Sequence, residues 1–275
     1  MSLQLLVFLT LFQKAEPGNS FSPTPTHTRV SVEQTMPSGS PQAQGDWVAR
    51  QAEQRDTGRD GRLTFKMRLF DRQNRVRERA LTVLSKKSSA GDKSLTRFTY
   101  PADIAGTGFL VWEHNDQADE RFLFLPSLAR VRRIAGSEAQ ESFVGSDFTY
   151  EDIGGREFDD YTYTLINDTA ENGTAYTLES KAKDPNARFP RVVSTVRKDN
   201  FVVIRAEIYN KRGDVQKQFE VSRVEKVGKY WTVLAMSMKD LGQQTRTELI
   251  VDKAEYDIGL ADDVFTRREL EKIIR

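Results

Sequence analysis

The sequence predicts a mainly-β domain: one long antiparallel meander that curls into a single large sheet around one or two helices. Stretches of alternating apolar and polar residues recur from Leu63 to Tyr256, the period of half-buried strands. Short turns separate most of them, among them Asn172-Gly173, Lys198-Asp199-Asn200, Arg212-Gly213-Asp214 and Val227-Gly228-Lys229, which favours hairpin pairing of successive strands. Ten or more strands joined in this way form one twisted sheet rather than alternating layers of strand and helix.

The elements follow in order. Residues 1–16 open with MSLQLLVFLTLF, an apolar run too short to span a bilayer and similar to the apolar part of a secretory leader, although no Lys or Arg precedes it. Residues 17–44 carry Pro17, Pro23, Pro25, Pro37 and Pro41 among Ser, Thr and Gly, a composition that predicts a flexible arm. Residues 45–275 are then expected to form a single β domain. Asp46 is expected to cap a helix through Trp47, Val48 and Ala52 to Asp56. Leu63, Phe65, Met67 and Leu69 share one face of the first strand. Val76 to Lys86 changes along its length, because the face that carries Arg75, Arg77 and Arg79 continues as Leu81 and Val83, as expected where a strand passes from solvent beneath a cover. Leu95 to Tyr100 and Phe109 to Trp112 follow.

The centre of the chain reads RFLFLPSLARVRRI. Phe122 to Leu125 put apolar groups on both faces of one short strand, so something must cover it twice. Pro126 to Leu128 turn the chain into a basic strand, Arg130 to Ile134. Next, Ser146 or Asp147 is expected to cap one helical turn around Tyr150 to Ile153. Later strands are expected at Asp160–Ile166, Thr174–Lys181, Arg191–Arg197, Val202–Tyr209, Val215–Val224, Tyr230–Met238 and Thr245–Tyr256. Thr266 and Glu269 fit a capping box, with Phe265 set to touch Leu270, and predict a terminal helix.

Composition excludes several functions. Lys plus Arg number 41 against 40 Asp plus Glu, a net charge of +1, which argues against a general nucleic-acid binder. There is no Cys, and His27 and His114 are the only histidines. Thiolate chemistry, disulfides and imidazole-based zinc sites are thereby ruled out. No nucleophile elbow, phosphate loop or dinucleotide fingerprint occurs. No catalytic residue, cofactor or metal is expected. His114 reads as a rim residue beside a carboxylate. An enzymatic reading would turn first to Glu151 and Asp152.

The hairpin followed by GSDFTYED and preceded by FLVWEH resembles the bacterial outer-membrane lipoprotein-sorting proteins of the LolA-like superfamily. The likeness extends from about Gln42 to the C-terminus and is most specific from Arg121 to Ile153. It implies an unclosed antiparallel β-barrel wrapped around a helix, a periplasmic location, and an apolar cavity for the acyl chains of a lipid or lipoprotein. It also implies work beside an inner-membrane lipid exporter or an outer-membrane acceptor.

The residues themselves allow such a cavity, since a curled sheet of ten or more strands encloses more space than one modest helix fills. Its expected lining is Leu63, Phe65, Met67, Leu69, Phe109, Val111, Phe122 and Phe124. Arg121, Arg130, Arg132 and Arg133 form an expected basic rim or partner contact, and either meet a phosphorylated headgroup or acidic partner, or lock internally against Glu151, Asp152 and Glu157. Two functions therefore stand open: a lipid or lipoprotein carrier with an accessible apolar cavity, or a non-enzymatic adaptor for a membrane exporter with a filled core.

Overall fold

The computed structural model describes residues 35–115 and 117–272. The apolar run at 1–16, residues 17–34 of the expected arm, His27 and Asp116 lie outside them. Thirteen strands form one antiparallel sheet: β1 (Asp60–Phe70), β2 (Val76–Lys86), β3 (Lys93–Tyr100), β4 (Gly108–Trp112), β5 (Glu120–Leu125), β6 (Arg130–Ile134), β7 (Tyr161–Thr169), β8 (Ala175–Ala182), β9 (Arg191–Arg197), β10 (Val203–Tyr209), β11 (Val215–Val227), β12 (Tyr230–Asp240) and β13 (Thr245–Tyr256). Their order is β6-β5-β4-β3-β2-β1-β13-β12-β11-β10-β9-β8-β7. The first and last strands thus pair at the centre of an open sheet, and β6 and β7 are its edges. Those edge strands are consecutive in the chain, so residues 135–160 cross from one side of the sheet to the other.

One face of the sheet is apolar along most of its length. Leu63, Phe65 and Met67 of β1 join Leu81 and Val83 of β2, Phe98 of β3, Phe109 of β4 and Leu249 of β13 in one buried cluster. Residues 135–160 cover it with Phe143, Phe148 and Tyr150. On the β7 side the same face is covered by α1 (Pro41–Glu53), through Val48, Ala49 and Ala52 against Tyr163, Leu165 and Leu178. The wet-to-dry change along β2 has its cause here: Leu81 and Val83 lie beneath the cover, while Arg79, one turn of the alternation earlier, donates to the Val144 carbonyl at 2.6 Å.

The helix begins earlier than Asp46. Ser40 is its cap, accepting from the Ala43 N–H at 3.2 Å, with Pro41 in the first turn, and Asp46 lies inside it. Ser-Pro here starts a helix because a first-turn residue needs no N–H donor, and proline's φ suits that position. Asn172-Gly173 does join a hairpin, β7 to β8, and both residues take positive φ, within a turn longer than two residues. The turn α3 (Ala170–Gly173) places Glu171 and Asn172 at φ 51° and 57°, with Gly173 at 88°.

The opposite face of β3–β5 is covered by the C-terminal segment. Phe265 and Leu270 pack on Leu95, Leu110, Phe122 and Phe124. The expected cap holds: the Thr266 hydroxyl accepts from the Glu269 N–H at 3.1 Å at the start of α4 (Arg267–Leu270). Arg97 donates to the Glu269 and Lys272 carbonyls at 2.6 and 2.7 Å, occupying carbonyls left open at the helix end. Phe122 to Leu125 is therefore covered twice, as its composition requires.

Two substitutions test this packing. A Cβ at Gly45 falls 2.7 Å from the Leu165 N and Thr164 Cα atoms, backbone that cannot step aside. Gly45→Ala gains about 1 kcal/mol of helix propensity but incurs overpacking of about 1–3 kcal/mol, so a net loss in urea-unfolding stability is expected; a stabilised variant contradicts the helix placement. Asp92 lies buried in the turn between β2 and β3, and burial raises its pKa to about 7 although the Ser88 N–H and Lys87 work in the opposite direction. Its folded pKa exceeds the ordinary carboxyl value, so its contribution is fully present below about pH 4 and is lost as pH rises through about 7. Asp92→Asn is expected to flatten the decline of the urea midpoint between about pH 5 and about pH 8; an unchanged slope contradicts the assignment.

Candidate functional site

The candidate site is the apolar face beneath residues 135–160. Leu63, Phe65, Met67, Leu69, Phe109 and Val111 come together there, each at most 5% exposed. Phe122 and Phe124 do not join them. Register sets Phe109 opposite Leu123 and Leu110 opposite Phe122, so Leu123 shares the site face while Phe122 and Phe124 point to the C-terminal cover. The two faces of this strand are equally apolar, so alternation alone does not distinguish Phe122 and Phe124 from Leu123.

The face is filled by its own chain. Phe143 packs at ring-centre distances of 5.7 Å from Phe98, 5.6 Å from Phe109 and 5.5 Å from Tyr150. Gly154 lies close against this contact: a Cβ there would fall 3.0 Å from the Phe109 ring and 3.1 Å from Val111, so those side chains would have to shift.

Polar contacts join this cover to the sheet. Asp147 does not cap the helical turn. Its carboxylate accepts from the Thr245 hydroxyl and, at 2.6 Å, from the Thr247 hydroxyl of β13, while its N–H donates to Thr247 Oγ1 at 3.0 Å. Its carbonyl accepts from Lys217 Nζ of β11 at 2.5 Å. Lys217 is 5% exposed, and burial pulls its pKa down against the opposing pull of Asp152, Asp240 and Asp147. Arg79 completes the set from β2 through Val144. Lys217, Thr245 and Thr247 are not among the site residues expected from the sequence. Their signal was a polar residue at an inward position of an alternating strand, two places from Phe219 in one case and from Leu249 in the other.

A second polar group stabilises the cover internally. The cap of α2 (Tyr150–Gly154) is Thr149, which forms a reciprocal box with Asp152: the Asp152 N–H donates to Thr149 Oγ1 at 3.0 Å and the Thr149 N–H to Asp152 Oδ2 at 2.8 Å. Arg156, 3% exposed, donates to Asp152 Oδ1 at 2.8 Å and lies 3.6 Å from Glu151. Burial raises the Glu151 pKa, with Arg156 opposing. These two carboxylates are thus engaged with a buried cation. Among the described residues no group of three or more His, Asp or Glu side chains is placed to hold a metal ion.

The four arginines of the expected rim separate. Arg121 is turned inward, donating to Asp119 and to the Gly155 carbonyl, both at 3.0 Å. Arg132 pairs with Glu138 at 3.3 Å and Arg133 with Glu120 at 3.7 Å, both half-exposed. Arg130 is exposed and has no ion pair among the described residues. The internal partners are Asp119, Glu138 and Glu120 rather than Glu151, Asp152 and Glu157. His114 lies 3.4 Å from Glu120 at the rim.

An open antiparallel sheet with its edges bridged by a covering segment defines a LolA-like fold, and comparison with solved structures agrees. The chain is similar to a LolA superfamily protein from Nitrosomonas europaea, at 19% identity and a TM-score of 0.65, over 82% of this chain and 98% of that one. It is 30% identical to a putative outer membrane lipoprotein-sorting protein domain from Vibrio parahaemolyticus, with a TM-score of 0.77 over 83% and 98% of the two chains. A DUF1329 family protein from Desulfovibrio piger is 32% identical, with a TM-score of 0.78 over 84% of this chain and all of that one. A family model described only as an uncharacterized protein matches residues 90–272, and no curated protein matches. The chain belongs to the DUF1329 family.

Removing a cross-contact should loosen the cover without unfolding the sheet. Thr247→Val leaves an Asp147 carboxylate oxygen and its N–H unpartnered at a cost of about 1–3 kcal/mol. Faster proteolysis between residues 135 and 149 is expected, with the strands retained by circular dichroism; parent-like proteolysis contradicts the role assigned to Thr247.

Proposed function

We propose that the protein is a non-catalytic periplasmic carrier that holds the acyl or isoprenoid chain of a lipid or lipoprotein against the apolar face now covered by residues 135–160. The supporting observation is the character of that cover: aromatic side chains of the chain's own segment fill the face, while few polar side chains tie the segment to the sheet. Displacing the segment uncovers a lining that includes Leu63, Phe65, Met67, Leu69, Phe109 and Val111 on the open sheet. The exchange is close to balanced. Burying three side chains such as Phe143, Phe148 and Tyr150 contributes roughly 5–9 kcal/mol, and at about 0.8 kcal/mol per methylene an acyl chain of roughly ten carbons equals it.

In this reading residues 1–16 direct export, and the single carrier domain begins with α1 at Pro41 rather than at residue 45. Partners are an inner-membrane lipid exporter or an outer-membrane acceptor, with the half-exposed Arg132 and Arg133 and the unpaired Arg130 available to an acidic surface. The lipoprotein-sorting description of the Vibrio relative supports the cargo class. A second reading has its own support: the filled face suits an adaptor that binds a membrane exporter through its surface and never opens.

Titration with a fluorescent acyl-chain probe separates the two. If segment and cargo compete, Phe143→Ala, which removes about 3–5 kcal/mol of cover packing, raises probe affinity above that of the parent protein. Failure of both proteins to bind the probe removes the carrier reading and leaves the adaptor.

A further inference from the structure

Antiparallel pairing sends alternate turns to opposite ends of the sheet. The turns at 71–75, 101–107, 126–129, 183–190, 210–214 and 241–244 share one end. Most of the large apolar side chains exposed among the described residues stand there: Leu128 is 66% exposed, Tyr100 57%, Leu241 44% and Val76 42%. Each sits on or beside a different turn. The same end carries the exposed cations Arg72, Arg77, Arg130, Lys183 and Lys211, which have no ion pair among the described residues. The turns of this end hold six Lys or Arg against four Asp, whereas those of the opposite end, at 54–59, 87–92, 113–119, 170–174, 198–202, 228–229 and 257–263, hold five Lys or Arg against ten Asp or Glu. The molecule is therefore polarised along its strands, with apolar tips on the basic end.

We propose that this end docks on an anionic membrane surface, with Leu128, Tyr100, Leu241 and Val76 entering the interface and the unpaired cations meeting lipid phosphates. Single apolar tips on separate turns suit a fluid surface that each enters alone, whereas a folded partner requires one contiguous patch. Unpaired Lys and Arg beside them are attracted to the negative surface potential of such a membrane. The cover is also fastened near this end: Lys217 and Thr245 lie at the starts of β11 and β13. Docking would bring the fastened part of residues 135–160 close to the bilayer. The inference extends the carrier reading but does not depend on it, because surface docking requires no bound acyl chain.

The test is co-sedimentation of the full chain with vesicles of phosphatidylglycerol and phosphatidylethanolamine, and with vesicles of phosphatidylcholine alone. Residues 1–16 are themselves apolar, so the readout is the difference between the parent and variants at the sheet end. The parent is expected to bind the anionic vesicles, and Leu128→Glu with Leu241→Glu to weaken that binding about tenfold. Arg72→Glu with Lys211→Glu should flatten its dependence on salt between about 0.05 M and about 0.5 M. All four positions are exposed, and circular dichroism verifies folding. Acyl-probe binding unchanged in the same variants separates docking from cargo retention. Equal binding of parent and variants to either vesicle, or binding of an acidic protein but no vesicle, overturns the proposal.

Discussion

Two consecutive strands that lie at opposite edges of one sheet impose the constraint on which the rest of this structure depends. The chain must cross the sheet between β6 and β7, and residues 135–160 make that crossing over the broad apolar face. An uncovered face of this size would expose Phe65, Met67 and Phe109 to water, so the crossing segment carries its own aromatic side chains. Its backbone groups then lie in a region with little water and require partners, which the caps, turns and sheet side chains supply.

The polar contacts fall into two sets with different consequences. Thr149, Asp152 and Arg156 bind one another within the segment, so that a displaced segment can keep α2 and its buried ion pair intact. Asp147, Thr247, Lys217 and Arg79 bind across to the sheet, and displacement must break these contacts. Removing one partner of a buried hydrogen bond leaves the other unsatisfied, so the second set sets the barrier to opening while the first lets the segment move as a unit. A segment joined to the sheet by a few polar contacts from β2, β5, β11 and β13, over a face whose affinity for hydrocarbon is non-directional, has the properties a carrier needs to retain and release cargo.

The sequence specified the strands well because one-sided burial imposes a period of two. Arg191–Arg197 and Thr245–Tyr256 match their strands to the residue, and the inward set of β1 is as its alternation predicts. It also showed that Phe122 to Leu125 needs two covers. Alternation alone did not determine which cover each residue meets, since Phe122 and Leu123 are equally apolar and only pairing with β4 distinguishes them. The role of Asp147 was equally hidden: a local cap is a short-range guess, and its real partners, Thr245 and Thr247, are far along the chain. The helix start was missed because Pro41 and Ser40 resemble their Pro-rich surroundings, although that pair is itself a start signal.

Hydrogen exchange of the amides in residues 143–153, measured with and without a saturating long-chain acyl ligand, tests the central claim most directly. If cargo and segment compete for one face, bound ligand increases exchange in this segment while the strands beneath it remain protected. Ligand bound at saturation with exchange in residues 143–153 unchanged would contradict the account, placing the cargo elsewhere and leaving the cover a fixed part of the core.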